Sequence, residues 1–135
     1  MFVGELETAG GIAIWGMDSI AAIAPAHEGA IVLTGSHGGQ SAGEYALKFP
    51  LCAVLFNDAG IGKDEAGVVA LAMLEDAGVA AAAISHLSGR IGDASDIWQN
   101  GTISRVNTLA HAAGLAPSMA IRDAVTRLAR AGPSQ

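Results

Sequence analysis

The sequence is poor in charged, aromatic and sulfhydryl side chains, and each shortage excludes a class of protein. Only seven of the 135 residues are lysine or arginine, and the net charge is −6. The scattered basic residues form no stripe that would bind nucleic acid or an anionic membrane surface. A single cysteine, Cys52, excludes an internal disulfide and is typical of a reducing compartment. No apolar run reaches the roughly 18 residues of a membrane-spanning helix.

The composition is nevertheless that of a folded domain. Hydrophobic residues make up 51% of the chain and charged residues 15%, which is enough apolar surface for a core. We expect one α/β domain over residues 1–135. Because few charges are available to cover its surface, we also expect a homo-oligomer. Glu5 and Glu7 stand where a signal peptide would carry basic residues, so we expect a cytoplasmic location without nucleic-acid or membrane partners.

Short apolar runs alternate with helical patterns along the chain. The runs that predict buried strands are AIVLT (30–34), LCAVLF (51–56) and VAAAAI (79–84), and GIAIWG (11–16) predicts a fourth strand. Helices are predicted over 40–49 with a Ser41–Glu44 capping box, over 64–78 with Asp64 as N-cap, around 102–113, and from Pro117 to Gly132. Strands joined through helices predict a three-layer α/β sandwich with a mostly parallel sheet and Rossmann-like or flavodoxin-like crossovers.

The unusual polar residues follow the three main predicted strands. The strands lead into GSHGG (35–39), NDAGIGKD (57–64) and SHLSGR (85–90), the last followed by Asp93. Ligands of open parallel sheets bind at the carboxyl ends of the strands, so we predict a site at this edge. The predicted catalytic residues are His37, Asp58, His86 and Ser36, and the predicted ligand-binding residues are Gly35, Gly38, Gly39, Asn57, Lys63, Ser85, Ser88, Arg90 and Asp93.

Acid–base chemistry is predicted for the histidines, because an imidazole changes its charge near neutral pH. Asp58 would orient one of the histidines, or it would be the acid where the histidine is the base and the base where the histidine is the acid. Adjacent residues of an extended segment point to opposite sides, so Ser36 is a better partner for His86 than for its neighbour His37.

The predicted role of the remaining residues is to bind an anionic ligand. Backbone N–H groups of Gly38 and Gly39 would stabilise an oxyanion or enolate, and Lys63 and Arg90 would pair with an anionic group of the substrate.

Each feature also has a structural interpretation. The two glycines are equally well explained by a turn before a helix, and a lone histidine at a strand end is commonly structural. Two histidines at two strand ends favour function.

Known nucleotide and metal motifs do not fit. GIGK (60–63) lacks the P-loop glycine at position 57 and the hydroxyl residue at 64, where Asn57 and Asp64 stand. The dinucleotide fingerprint fails because Glu65 occupies its third glycine position. The histidines lack the close spacing of a metal-binding pair. We therefore expect neither a cofactor nor a metal.

Taken together, the sequence predicts a small-molecule enzyme that acts on a polar carboxylate- or amide-bearing metabolite by His/Asp acid–base chemistry. Hydrolysis of a C–N bond is slightly favoured over isomerase or lyase proton abstraction, because Ser36 lies beside His37. Two alternatives remain open. The same strand exits would suit a non-catalytic subunit that binds a small anion, and the alanine- and glycine-rich surfaces would suit an oligomer-forming subunit.

Overall fold

The structure, a computed structural model, describes residues 1–133 and is built around one six-stranded sheet. The strands lie side by side in chain order, as β1 Val3–Ala9, β2 Ile12–Met17, β3 Ile31–His37, β4 Ala53–Asn57, β5 Ala80–Ile84 and β6 Ile103–Val106. Strands β2 to β5 are parallel, whereas the edge strands β1 and β6 are antiparallel to their neighbours. The predicted α/β class with a mostly parallel sheet is confirmed.

Helices connect the strands and follow the last one. They are α1 Gln40–Ala46, α2 Val69–Asp76, α3 Ala94–Asn100, α4 Thr108–Ala112 and α5 Ile121–Ala131, with 3-10 helices at Ile20–Ala22, Pro25–His27 and Lys63–Val68. None of the helices in the described part of the chain has the length and apolarity needed to cross a lipid bilayer.

The strand order explains which helices share a core. The connections β2–β3, β3–β4 and β4–β5 each join neighbouring parallel strands, and such crossovers share one hand. Their helices should therefore lie on the same face of the sheet. Buried residues of α1 and α2 belong to one core cluster together with Val32, whereas Ile31 and Leu33 belong to a second cluster with residues of α3, α4 and α5. Because alternate residues of a strand point to opposite faces, both faces of β3 pack against a core cluster, and the inner strands begin with continuous apolar runs.

The sheet differs from the Rossmann and flavodoxin orders in a way that concerns the site. In both of those orders the strand sequence reverses once, and the ligand binds in the crevice at that switch point. Here the order from β1 to β6 has no reversal. The strand order therefore does not locate a site, and the side-chain contacts are needed to locate it.

Two predicted helix starts are wrong. The N-cap of α1 is Gly39, so Ser41 lies inside the helix and forms no capping box. Asp64 has a left-handed backbone within the 3-10 segment, and α2 begins only at Val69. The positive φ of Asp64 and Glu65 is incompatible with an α-helix that begins at 64, and Gly67 packs closely against the Asp58 backbone at the β4 exit.

The predicted helix over 102–113 is replaced by strand β6 and the short helix α4. Asn107 lies between them with its side chain buried. Its side-chain oxygen accepts hydrogen bonds from the N–H groups of Ala81 and Ala110, at 3.1 and 2.9 Å. Its amide group donates to the carbonyls of Leu71 and Val79, at 3.2 and 3.0 Å. These contacts end β6 and begin α4, and three of the four partners are far away in the sequence.

Candidate functional site

The exits of β3, β4 and β5 lie next to each other in the sheet. His37, the last residue of β3, is paired with Asn57, the last residue of β4. Asn57 is in turn paired with Ile84, the last residue of β5. Asp58 follows β4 directly, and His86 follows β5 after one intervening residue. The backbone therefore places three of the four predicted catalytic residues at one edge of the sheet.

Asp58 and His86 are in direct contact at this edge. Oδ1 of Asp58 lies 3.1 Å from Nδ1 of His86. The Asp58 side chain is 5% exposed, whereas the His86 side chain is 46% exposed. A carboxylate oxygen can only accept here, so Nδ1 of His86 carries the hydrogen and Nε2 is the acceptor of the neutral ring. The pair thus consists of a buried anion and a half-exposed imidazole of fixed tautomer.

Backbone hydrogen bonds hold the Asp58 carboxylate in place. The same Oδ1 atom accepts from the N–H of Gly60 at 2.8 Å and from the N–H of His86 at 3.1 Å. Burial raises the pKa of the Asp58 carboxyl, but the nearby Ser104 side chain and the hydrogen bonds from Gly60 and His86 lower it. The Ser104 hydroxyl itself donates to the carbonyl of Ala83 at 3.3 Å. The hydrogen bonds outweigh burial, and the pKa lies below its ordinary value. Asp58 is therefore ionised at neutral pH. Ser104 reaches this site because it lies on β6.

Asn57 fixes the two loops that carry the pair. It is fully buried at the end of β4. Its side-chain oxygen accepts from the N–H of Ala59 at 2.8 Å, and its amide donates to the carbonyl of Gly89 at 2.8 Å. Asn57 and Asp58 thus each bond once to the loop after β4 and at least once to the loop after β5. The role of Asn57 in the structure is to position these loops.

The loop after β4 is conformationally unusual where it passes His86. The four non-glycine residues Ala59, Ile61, Asp64 and Glu65 have positive φ. Such conformations cost about 1 kcal/mol or more each and are concentrated at functional sites. An ideal Cβ on Gly60 would lie 3.5 Å from Cε1 of His86, so the imidazole lies over the backbone of this loop. Lys63 is exposed in the same loop.

A cavity of about 370 Å³ opens beside His86. The other residues that line it are Leu87, Ser88, Gly89, Arg90, Ile91 and Asp96. Oδ2 of Asp96 accepts from the backbone N–H of Arg90 at 2.8 Å, and Oδ1 accepts from the amide of Asn100 at 2.9 Å. The hydrogen bond from the Arg90 backbone is the main reason that the pKa of Asp96 is lowered. The residues that line the cavity therefore include a histidine, an arginine and an aspartate that is charged at neutral pH.

The serines beside His86 make structural hydrogen bonds. Oγ of Ser85 accepts from the N–H of Leu87 at 3.2 Å. The Ser88 hydroxyl donates to the Ser85 carbonyl at 2.8 Å and accepts from the N–H of Thr102 at 2.9 Å. Both hydroxyls thus shape the loop after β5. Within residues 1–133, no serine hydroxyl is hydrogen-bonded to the His86 ring.

Ser36 and His37 line a different hollow. This hollow has a volume of about 140 Å³ and lies beside α1, where Ser19, Ser41 and Tyr45 contribute to its lining. Oγ of Ser36 accepts from the N–H of Ile20 at 3.0 Å. The predicted Ser36–His86 pair is not formed, since the structure places the two side chains in separate hollows. His37 is likewise apart from the Asp58–His86 pair, because its ring folds over Gly39.

The glycines of the β3 exit provide close packing. An ideal Cβ on Gly35 would lie 2.7 Å from the backbone of both Asp18 and Asp93. The N–H of Gly38 donates to the carbonyl of Asn57 at 3.0 Å and is thus not available to an oxyanion. Gly39 is the N-cap of α1. These contacts favour the structural interpretation of the glycines.

Asp93 begins helix α3, which the sequence analysis did not predict. Its Oδ1 accepts from the N–H of Asp96 at 3.0 Å, as an N-cap side chain does. Asp96, which lines the cavity beside His86, was not among the predicted site residues. An N-cap interpretation of Asp93 was the signal that would have placed Asp96 in the first turn of a helix.

Comparison with known proteins leaves the geometry as the only basis for function. No protein-family model, curated protein or solved structure matches the chain. Over residues 1–133, no group of three or more histidine, cysteine, aspartate or glutamate side chains is arranged to hold a metal ion.

Proposed function

We propose that the protein is a small-molecule enzyme in which His86, oriented by Asp58, is a general base and acid toward a polar carboxylate- or amide-bearing metabolite. The observation that carries this proposal is the contact between a buried, ionised carboxylate and Nδ1 of a half-exposed imidazole beside a cavity. A carboxylate in this position fixes the tautomer of the imidazole and stabilises its protonated form. Perturbed carboxylates beside a cavity are typical of functional sites.

The chemistry follows from the absence of a hydroxyl partner for the imidazole in the described chain. In hydrolysis of an amide, Nε2 of His86 would take a proton from water while the water oxygen forms a bond to the carbonyl carbon. The imidazolium would then return this proton to the departing nitrogen as the C–N bond breaks. Proton abstraction from a substrate C–H bond uses the same base. Hydrolysis by a serine nucleophile would need a hydroxyl beside His86 and is not supported.

The layer arrangement and the oligomeric state of the molecule are also proposals. Core clusters on alternate residues of β3 support a three-layer arrangement. Exposed hydrophobic side chains such as Phe2, Val3 and Val69 support a homo-oligomer.

The tautomer provides a test that does not require the substrate. In ¹H–¹⁵N NMR spectra of neutral-pH protein labelled at histidine, we expect His86 with hydrogen on Nδ1. Asp58→Ala, which removes the acceptor, should shift His86 toward the Nε2–H form, which predominates in free imidazole side chains. His111, exposed on α4, provides the matched control and should not change. An Nε2–H tautomer of His86 in the wild-type protein would refute the proposed arrangement.

Turnover of a metabolite mixture, followed by mass spectrometry, tests catalysis itself. We expect His86→Gln to reduce turnover about 100-fold or more, since general acid–base catalysis contributes roughly 10²–10⁴-fold. His111→Gln should leave it unchanged. If a metabolite stabilises the protein against heat but is never converted, the non-catalytic binding subunit is the better description.

A further inference from the structure

We propose that the cavity beside His86 binds a small aliphatic monocarboxylate, with Arg90 holding the carboxylate and Leu87 and Ile91 covering the hydrocarbon part. This inference rests on the proposed function, because it names the substrate class of the same site. It narrows the carboxylate- or amide-bearing metabolite to a carboxylate with an apolar part, and proton abstraction from a C–H bond is then the reaction of the same base that this ligand class allows.

The apolar side chains are the first argument. Leu87 is 86% exposed, more than any other large hydrophobic side chain of residues 1–133, and Ile91 is 50% exposed. Both line the cavity that contains His86. Scattered exposed aliphatic side chains are ordinary, but two in one cavity beside a candidate base form an apolar surface that a ligand can cover.

The guanidinium of Arg90 is the second argument. The ion pairs found within residues 1–133 are His86–Asp58 and Arg105–Glu65, and Arg90 takes part in neither. Its neighbour Asp96 is bonded to the backbone of Arg90 and to a side chain of α3. The Arg90 guanidinium acts on Asp96 through its charge but forms no ion pair with it within residues 1–133, so its planar donors can match a ligand carboxylate in two parallel hydrogen bonds. A neutral amide would leave one donor facing an NH₂ group.

Asp96 limits the charge of the ligand. Its carboxylate lines the cavity, and its lowered pKa means that it is charged at neutral pH. A phosphate or dicarboxylate would bring a second negative charge toward Asp96, whereas a monocarboxylate has its single charge on Arg90 and an apolar remainder. The volume of about 370 Å³ also fits a small ligand.

Binding of defined probes tests this assignment. ¹H–¹⁵N NMR titrations of the full chain with isovalerate, isovaleramide, succinate and inorganic phosphate would be followed at the amides of residues 86–91. We expect isovalerate to bind at least about tenfold more tightly than the other three probes. Isovaleramide lacks the charge-assisted bidentate pair, and succinate and phosphate bring additional negative charge toward Asp96. Arg90→Gln should raise the Kd of isovalerate about tenfold, and Leu87→Ser with Ile91→Ser should weaken it severalfold. Arg130→Gln on α5 and Val69→Ser on α2 are the matched controls and should leave the Kd unchanged.

Several outcomes would overturn the inference. They are equal affinity for isovalerate and isovaleramide, no response at residues 86–91, and an unchanged Kd in Arg90→Gln. Dissociation of an oligomer by the Leu87 and Ile91 substitutions without a change in Kd would show that these side chains cover a second copy of the chain. The test is independent of catalysis, because binding of these probes is measured without turnover. Selective binding of isovalerate with no effect of His86→Gln on turnover would refute the proposed catalysis and leave this inference standing.

Discussion

Replacing Asp58 by asparagine removes the charge at the centre of the site and keeps its shape. Oδ1 of Asp58 accepts three hydrogen bonds, at 2.8, 3.1 and 3.1 Å. A hydrogen bond to a charged group contributes roughly 1.5–3 kcal/mol, whereas a neutral one contributes roughly 0.5–1.5 kcal/mol. Three bonds that share one oxygen do not add fully, so we expect Asp58→Asn to lower the free energy of unfolding at pH 7 by about 2 kcal/mol.

The pH dependence of this difference follows from the lowered pKa of Asp58. A carboxyl whose pKa is lower in the folded state than in the unfolded chain stabilises the fold above the unfolded pKa, which is about 3.9 for aspartate. This stabilisation is lost as the pH falls through the folded pKa, because the unfolded chain takes up the proton first. Asparagine has no such proton. The difference between the two proteins should therefore be constant above about pH 5 and shrink below about pH 4.

Urea unfolding at pH 7, 5, 4 and 3.5, followed by circular dichroism, measures both quantities. Asp76→Asn, which removes an exposed carboxylate at the end of α2, is the matched control and should change the free energy of unfolding by less than about 0.5 kcal/mol. A wild-type-like stability of Asp58→Asn at pH 7 would refute the claim that this buried carboxylate is ionised and well bonded. So would a difference that stays the same down to the lowest pH.

Three further substitutions test the structure around the site by the same unfolding assay. Asn107→Ala removes four hydrogen bonds and should lower the free energy of unfolding by about 3 kcal/mol. The control Thr108→Ala changes an exposed neighbour and should lower it much less. Equal effects of the two substitutions would contradict the central position of Asn107. Gly35→Ala places a Cβ 2.7 Å from backbone atoms and should cost about 2 kcal/mol or prevent folding, so an unchanged stability would show that the backbones separate easily. Asn57→Asp places a carboxylate oxygen against the Gly89 carbonyl and should lower the free energy of unfolding by about 2 kcal/mol. The backbone amides around residue 89 should also exchange their hydrogens faster. Exchange at the wild-type rate would argue against the loop contact.

The inner strands could be predicted because their signal is local. β3 and β4 are runs of branched and aliphatic residues bounded by polar or glycine-rich segments, and both faces of these strands are buried. The hairpin of β1 and β2 had a local signal too, since Gly10 and Gly11 form its turn and both have positive φ. The alternation of Glu5, Leu6 and Glu7 before that turn is typical of an edge strand, but the sequence analysis did not use it.

Strand β6 could not be predicted, because its determinants are distant. ISRV (103–106) has no alternation that separates it from a helix, and the contact that ends it is made by Asn107. That side chain bonds to residues 26 and 36 positions away, at Ala81 and Leu71. Local patterns contain no information on such partners.

The edge of the sheet at which the candidate site lies could be predicted, but the directions of its side chains could not. Knowing that parallel strands end at one edge is enough to bring Asp58 and His86 near each other. Whether Ser36 or His37 joins them depends on where the chain goes next, and the His37 ring packs over Gly39 instead of facing His86. The prediction of one hollow shared by all four residues assumed a switch point between the strands, and the strand order has none.

In this sheet, whose strand order does not reverse, the candidate site lies between the ends of two neighbouring strands. The crossovers after β3 and β4 lead to α1 and α2, which share one core cluster, whereas the connection after β5 leads to α3 in the other cluster. Side chains at the end of β3 therefore lie beside α1, and those after β5 lie beside α3, although both strands end at the same edge. Strand β4 lies between them, and its last polar residues, Asn57 and Asp58, bond to the loop after β5. Because that loop also borders α3 and the cavity lined by His86, the β4–β5 boundary can hold a buried anion next to an accessible imidazole.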